Sequence, residues 1–264
     1  MAINKSAIVD PSSQIHPSAE IGPGAIIGPD VVIGSGVKVM AYAHVCQGTE
    51  ILEGVEIHMG AVIGHEPLDL SYKGQKTFTR IGKNTVIREY VTIHRGSAEG
   101  STTVVGANNF IMTQCHLGHN CITGDNVIMA VSALLAGHVE VGRNTFIAGN
   151  VVFHQFCRIG EFAMIGGFTG VNKDVPPYMT VRGPSVVRGV NLVGLRRGGF
   201  SRESIRAIRE AYSIFFKSEL NTKDAIAKIK EKLDGPEVEE FVRFVANSKR
   251  GICKYRYNKE EFFE

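Results

Sequence analysis

The stretch Val9-Asp10-Pro11-Ser12-Ser13-Gln14-Ile15-His16-Pro17-Ser18-Ala19-Glu20-Ile21-Gly22-Pro23-Gly24-Ala25-Ile26-Ile27 decides the fold. Stepping by six from Val9 gives Ile15, Ile21, Ile27, Ile33, Val39, Val45, Ile51, Ile57 and Ile63, all Ile or Val. Four residues after each comes a small or β-branched side chain: Ser13, Ala19, Ala25, Val31, Val37, Ala43, Thr49, Val55 and Ala61. The period resumes at Ile81, Ile87 and Ile93, and again from Val105 to Val171, where Thr123 is the one polar member. The three runs make twenty-five hexads.

A period of six suits neither an α-helix nor a simple hairpin. It suits a parallel β-helix, in which each coil stacks on the last. The aliphatic residue points inward, the small residue four later also faces the axis, and Gly or Asn/Asp turns the corners where φ is positive. No hexad can bury its apolar face alone, so stability is a sum over stacked neighbours. Three hexads make a triangular coil of about 18 residues. With coils roughly 4.8 Å apart, about eight of them form a prism on the order of 40 Å tall.

Two excursions interrupt the repeat, at about 65–80 and 96–104. Loops inserted in a solenoid gather on one face and often carry function. After Val175-Pro176-Pro177 the pattern changes. Ile205, Ile208, Tyr212 and Phe215 recur at helical spacing, with Ser201 placed as an N-cap. Ile226, Ile229 and Leu233 predict a second helix, and Pro236 opens a third that turns Val238, Phe241 and Val245 inward. The expected layout is a β-helix over 1–190 and a helical domain over 191–264.

Composition excludes several classes. Hydrophobic residues make up 44 % of the 264, so the chain can bury a core. No apolar run approaches the ~18 residues of a membrane span. The start, Met1 to Lys5, lacks the apolar segment of a secretory signal, which predicts a cytoplasmic protein. Five Cys without a CxxC pair argue against a disulfide framework or structural zinc. Cys115, Cys121 and Cys157 fall at the small inward position and read as packing residues.

The 18-residue coil puts His119 near His138, and both near His154 and Gln155, on one edge of three successive coils. His116 lies three residues before His119. A lone His is most often solvated or hydrogen-bonded; four in coil register point to chemistry. They suit general-base catalysis with supporting donors, or a metal site, since His is the commonest ligand. No two of these His are five apart and no carboxylate lies beside them in sequence, which disfavours a metal enzyme of the γ-class carbonic anhydrase kind. A non-catalytic solenoid scaffold is the remaining reading from another class.

Thr92-Ile93-His94-Arg95-Gly96, Cys115-His116-Leu117-Gly118-His119, Leu135-Ala136-Gly137-His138-Val139, Phe153-His154-Gln155-Phe156-Cys157, Asp174-Val175-Pro176-Pro177-Tyr178, Gly189-Val190-Asn191 and Arg196 to Arg202 occur in this order. Together they resemble the UDP-N-acetylglucosamine acyltransferases among the hexapeptide-repeat transferases. The resemblance spans nearly the whole chain and implies a left-handed prism, although parallel crossovers are usually right-handed. It implies transfer of a (3-hydroxy)acyl chain from acyl carrier protein to the sugar nucleotide, the first step of lipid A biosynthesis. It places His119 as general base and the Gly137 backbone as oxyanion donor. Asp69, His116, His138, His154, Gln155, Asn191 and Arg197 match substrate contacts. It implies a homotrimer with sites between adjacent prisms, and neither metal nor cofactor.

The chain departs from well-known members at a few positions. Asn120 stands where many carry Asp after the base. Leu68, Ser71 and Val193 replace Gln, Lys and an acidic residue on the sugar-nucleotide side, which keeps open a 3-amino acceptor analogue and an amide product. Gly167 lies where a residue limits acyl depth, and its lack of bulk suggests a longer chain. From Arg182 to Lys217 eight basic residues face two acidic ones, which would complement an acidic carrier protein. No nucleic-acid motif is present.

Overall fold

The computed structural model describes residues 2–255, so the end of the expected helical domain, 256–264, lies outside the described residues. Strands that are third neighbours in the chain lie side by side in three sheets of twelve, nine and eight strands. Lys38↔Glu56, His44↔Val62 and Val32↔Glu50 pair in parallel, each 18 residues apart. Each coil therefore gives one strand to every side of a prism. Face 1 carries Ile128–Met129, Phe146–Ile147 and Met164–Ile165. Face 2 carries His116–Leu117, Leu134–Leu135 and Val152–Phe153. Face 3 carries Ile122–Thr123, Glu140–Val141 and Arg158–Ile159.

From Ile21 to Val171 every hexad aliphatic position is at most 3 % exposed, so the six-residue column is the core. Val9 and Ile15 are only partly buried because the prism ends there. The repeat starts one rung earlier than the sequence suggests, as Ala2–Ile3 pairs with Glu20 and Ile21. Thr123, the polar exception, is tolerated because its Oγ1 accepts from Asn109 Nδ2 at 2.8 Å. Asn109 Oδ1 in turn accepts from Val127 N at 2.6 Å, so the buried amide is satisfied.

The corners depart from expectation. Asp30, Asn84, Asn108 and Asn126 take positive φ, as predicted, but so do Tyr42, Tyr90, His138, Phe156, Phe162 and Phe168. An aromatic residue is strained there. The neighbouring coils hold it: Tyr42 N donates to Pro23 O at 3.0 Å, and a Cβ on Gly24 would lie 2.6 Å from the Tyr42 ring. Glycine below and aromatic above make one steric unit.

After the last coil an antiparallel hairpin, Met179–Arg182 and Val186–Val190, extends face 1. Lys254–Tyr255 returns to pair with it. The helical pattern did not announce this hairpin, because Gly183-Pro184 interrupts a short apolar segment outside the hexad period. Four helices follow: α1 (Leu192–Arg197), α2 (Arg202–Lys217), α3 (Thr222–Lys232) and α4 (Pro236–Ala246). Ser201 caps α2 by accepting from Ser204 N at 3.0 Å, and Pro236 opens α4. Ile208 and Ile229 are at most 2 % exposed and join the prism's own apolar cluster. Asp174, 1 % exposed, accepts from Arg158 N at 2.9 Å and Ser248 Oγ at 2.7 Å. It thus ties the prism end to the segment after α4.

Candidate active site

The corner between faces 2 and 3 repeats the same two slots on successive coils. The first slot holds His119, Gly137 and Gln155; the second holds Asn120, His138 and Phe156, with φ of 60°, 59° and 64°. His138 therefore stands over Asn120, one position beyond the His119 column. Its ring still reaches His119 edge-on, with centroids 5.1 Å apart at 90°, and stacks on Phe156 at 4.5 Å.

The first slot has a useful property. Near the N-terminal end it is Pro11 and Pro29, which have no N–H, so the coil does not need a donor there. Gly137 N–H accordingly meets no backbone acceptor among the described residues. A Cβ at Gly137 would fall 2.6 Å from His119 Nε2, so only glycine lets the imidazole occupy its position. On the other side of the ring, His119 Nδ1 lies 2.9 Å from Asn120 Oδ1. The same oxygen accepts from Ser97 N at 3.1 Å and Ser97 Oγ at 3.0 Å.

A second imidazole pair lies on the face 2 side. His94 and His116 have centroids 5.2 Å apart. His116 Nδ1 is 2.8 Å from Thr92 Oγ1, and His94 Nδ1 donates to Glu66 O. Burial, then the neighbouring His94, push His116 down to about 4. Burial also lowers His94, aided by His65 and His119 and opposed by the Glu66 carbonyl. His138 is lowered by burial and by His119, against the pull of Asp69. These rings are neutral at pH 7 and act as hydrogen-bonding groups. His154 is exposed one coil further on, its Nδ1 donating to Gln155 O at 3.1 Å. Among the described residues no three His, Cys, Asp or Glu side chains gather as a metal-ligand set.

Asp69 sits on the first excursion. Its Oδ1 accepts from Ser71 N at 2.9 Å and Ser71 Oγ at 2.8 Å, closing a local turn. These bonds hold its carboxyl below the usual range against slight burial, with His119 and His138 contributing. The loop carboxylate and the corner imidazoles therefore share one electrostatic environment.

Asn191 and Arg197 lie elsewhere. Asn191 caps α1: its Oδ1 accepts from Gly194 N at 3.1 Å and its Nδ2 donates to Phe162 O at 2.9 Å. With Arg197, Arg182, Phe146, Met164 and Thr180 it lines a groove of about 680 Å³ on face 1. In a triangular prism, face 1 lies opposite the corner of faces 2 and 3. One chain therefore brings His119, Gly137, His138 and Asp69 together but holds Asn191 and Arg197 across the prism.

His94, Ser97 and Phe156 also belong to this cluster, and the six-residue pattern gives none of them a role. Spacing could not find His94, because Thr92 pairs with His116 at an offset of 24, not 18: the second excursion breaks the count. Ser97 lies on that excursion, outside the repeat.

The chain matches two family models. Residues 174–253 match one described as Udp N-acetylglucosamine O-acyltransferase, Domain 2. Residues 9–97 match one described as GMPPB C-terminal domain. An acyl-[acyl-carrier-protein]--UDP-N-acetylglucosamine O-acyltransferase of Thermodesulfovibrio yellowstonii is 46 % identical over 255 residues, covering 96 % of this chain and 99 % of that protein. Among solved structures, LpxA from Acinetobacter baumannii superposes with a TM-score of 0.93 at 39 % identity, covering 96 % of this chain and all of that one. The UDP-N-acetylglucosamine O-acyltransferase of Moraxella catarrhalis gives 0.93 at 35 %, with the same coverage. The prism is a left-handed parallel β-helix followed by a small helical part. With identity this high over nearly its whole length, the chain belongs to the UDP-N-acetylglucosamine O-acyltransferase family of enzymes.

Proposed function

We propose that this chain moves a 3-hydroxyacyl group from acyl carrier protein to the 3-hydroxyl of UDP-N-acetylglucosamine, opening lipid A biosynthesis, with His119 as general base. The carrying observation is the His119 ring: Nδ1 is bonded to Asn120 Oδ1, and Nε2 is left facing the Gly137 backbone. A hydroxyl is a poor nucleophile until it loses its proton. Nε2 takes that proton as the sugar oxygen bonds to the thioester carbon. The carbonyl oxygen gains negative charge as the carbon becomes tetrahedral, and the unused N–H of Gly137 donates to it. Collapse breaks the C–S bond, and the imidazolium returns the proton to the departing thiolate.

Asp69 and the neutral rings of His138 and His116 bind the sugar by hydrogen bonds, with His154 and Gln155 further along. Asn191 and Arg197 serve the nucleotide and phosphate end from the neighbouring chain, Arg197 through its charged planar fork. Their place across the prism supports a homotrimer with sites between prisms. So do exposed aliphatics in the outward column of His116: Leu134 is 36 % and Val152 49 % exposed. Arg206, Arg209 and Lys217 line a cleft with Tyr212 on the helical part, which fits an acidic carrier protein. The five cysteines are buried and unpaired, which suits a reducing cytoplasm. No described helix is long and apolar enough to cross a membrane.

A 3-amino acceptor is the second reading. Leu68, 76 % exposed, and Ser71, bonded to Asp69, favour it, because neither supplies the long polar side chain expected beside the carboxylate. The test is acyl transfer from 3-hydroxyacyl carrier protein to each acceptor, with H119A as control. Turnover of the hydroxyl acceptor, lost in H119A, supports the first reading. Turnover of the amine alone moves the substrate and keeps the base. Full activity in H119A removes His119 from the mechanism.

A further inference from the structure

We propose that Ser97 is a positioning residue whose N–H selects, and whose hydroxyl holds in place, the Asn120 orientation that sets the tautomer of His119. The proposal rests on the acyl-transfer reading above. It starts from an ambiguity: an asparagine beside a histidine can present either its oxygen or its NH₂ group. If the NH₂ faced Nδ1, Nδ1 would have to be the acceptor. Nε2 would then carry the proton, and the ring could not act as a base at that nitrogen.

Ser97 removes the ambiguity. Its backbone N–H, 3.1 Å from the asparagine atom, can only donate, so that atom must be oxygen. Its hydroxyl adds a second donor to the same atom at 3.0 Å. An oxygen fixed in this way requires a proton on His119 Nδ1, 2.9 Å away. The lone pair is then on Nε2, beside Gly137. A carboxylate would need no such help, because both of its oxygens accept. Asparagine at 120 makes the second excursion part of the catalytic apparatus.

The rest of the local structure holds this relay still. Asn120 has φ of 60°, and its N–H donates to Thr103 Oγ1 at 2.8 Å. Gly96 N donates to Phe78 O at 3.2 Å and Gly100 N to Lys76 O at 2.9 Å. Lys76 N donates in turn to Glu99 Oε2 at 3.1 Å. The excursion bearing Ser97 is thus tied to the end of the excursion bearing Asp69, and acceptor loop and base share one support. A Cβ on Gly96 would lie 2.3 Å from Ser101 Oγ, so the loop can approach itself only with glycine there.

The experiment is a double-mutant cycle of S97A and N120A, read as kcat and KM for acyl transfer, with S97T as the conservative variant and a thermal melt of each protein. S97A keeps the backbone donor and loses the hydroxyl, worth roughly a three- to tenfold fall in kcat, with KM within about twofold. S97T restores most of it. In the N120A background, S97A changes kcat by less than about twofold, because Ser97 acts only through that side chain. An unchanged kcat in S97A, or an equal loss in both backgrounds, would overturn the proposal while leaving the activity standing. A wild-type chain that transfers to neither acceptor removes the reading beneath it. A loss in S97A accompanied by a lower melting temperature, and not restored by S97T, would also overturn it in favour of a structural role.

Discussion

Gly137→Ala is the substitution with the most to say about the site. A Cβ at this residue would stand 2.6 Å from His119 Nε2, 2.7 Å from Cε1 and 3.2 Å from Cδ2. Ordinary contact begins near 3.4 Å, so the ring must retreat by about 0.8 Å. Misplacing a reacting group by about 1 Å costs on the order of 100-fold, so kcat should fall roughly 30- to 100-fold. Stability should move the other way or not at all. Gly137 is absent from the residues with positive φ, so alanine fits the backbone. Such a change stabilises by about 0.4–1 kcal/mol through the unfolded chain, partly offset by the displaced ring. Alanine also keeps the N–H, so the loss isolates the base from the oxyanion donor. The assay is steady-state transfer from carrier-bound donor beside a thermal melt. If G137A keeps a third or more of wild-type kcat, the position of the His119 ring does not set the rate and the mechanism is wrong. If melting temperature and kcat fall together, the substitution is a folding defect and the steric argument fails.

Other outcomes follow from the same geometry. N120D places a carboxylate 2.9 Å from His119 Nδ1, and because both carboxylate oxygens accept, S97A in that background should change kcat by less than about twofold; a loss as large as in the native background would mean that Ser97 does not act through residue 120. Burial raises the thiols of Cys46, Cys115 and Cys157 to about 11 and of Cys121 and Cys253 to about 12. The unfolded chain therefore loses protons near 9 that the native chain keeps, and stability falls as pH rises above about 9. His44, His94, His116 and His138 are held below their ordinary value, so the unfolded chain takes up protons first and stability also falls below about pH 6.5. Melts from pH 4.5 to 10.5 should trace a plateau with two falling limbs; a rise above pH 9 would contradict the buried thiols. G167M should shift donor preference toward shorter chains in competition between two acyl lengths, and no shift would place the acyl group elsewhere. L134E with V152E should give monomers by light scattering and inactive protein; an active monomer would refute sites shared between chains.

The prism was legible because its inward position tolerates so little. Stacked coils bury the whole column of apolar residues at six-residue spacing from Ile21 to Val171, and the exception Thr123 is met by Asn109. The longer helices α2, α3 and α4 were legible from capping and period, whereas the six-residue α1 was too short to show a period. The corners were less so. Sequence rules reserve positive φ for Gly, Asn and Asp, yet the stacked coils hold Tyr42, His138 and Phe156 there. That one-slot difference puts His138 above Asn120 and not above His119. The excursions destroy the count of 18, so the spacing that relates His116 to the later coils does not reach its neighbour His94. Ser97 left no pattern at all: its significance depends on which atom of Asn120 it meets.

The coil explains why an imidazole and a free backbone donor can stand side by side at this corner. On a face, every N–H and C=O is engaged with the coils above and below, and alternate side chains are committed to the core. The first corner slot is free of both duties. Its N–H is dispensable, as Pro11 and Pro29 demonstrate, and its side chain points to neither core nor ladder. Successive coils can therefore fill it independently: His119 supplies a ring, Gly137 a bare backbone donor, Gln155 an amide. Coil spacing then fixes how far apart these groups stand, at roughly 4.8 Å. Rigid stacking supplies orientation before substrate arrives, which is the condition for electrostatic catalysis. What the corner cannot supply is a second wall. Asn191 and Arg197, the residues proposed above for the nucleotide end, sit on the opposite face of the same prism. On the function proposed above, half-sites that face away from each other on one prism would be joined by a second copy of the chain, and three copies around an axis would complete three sites.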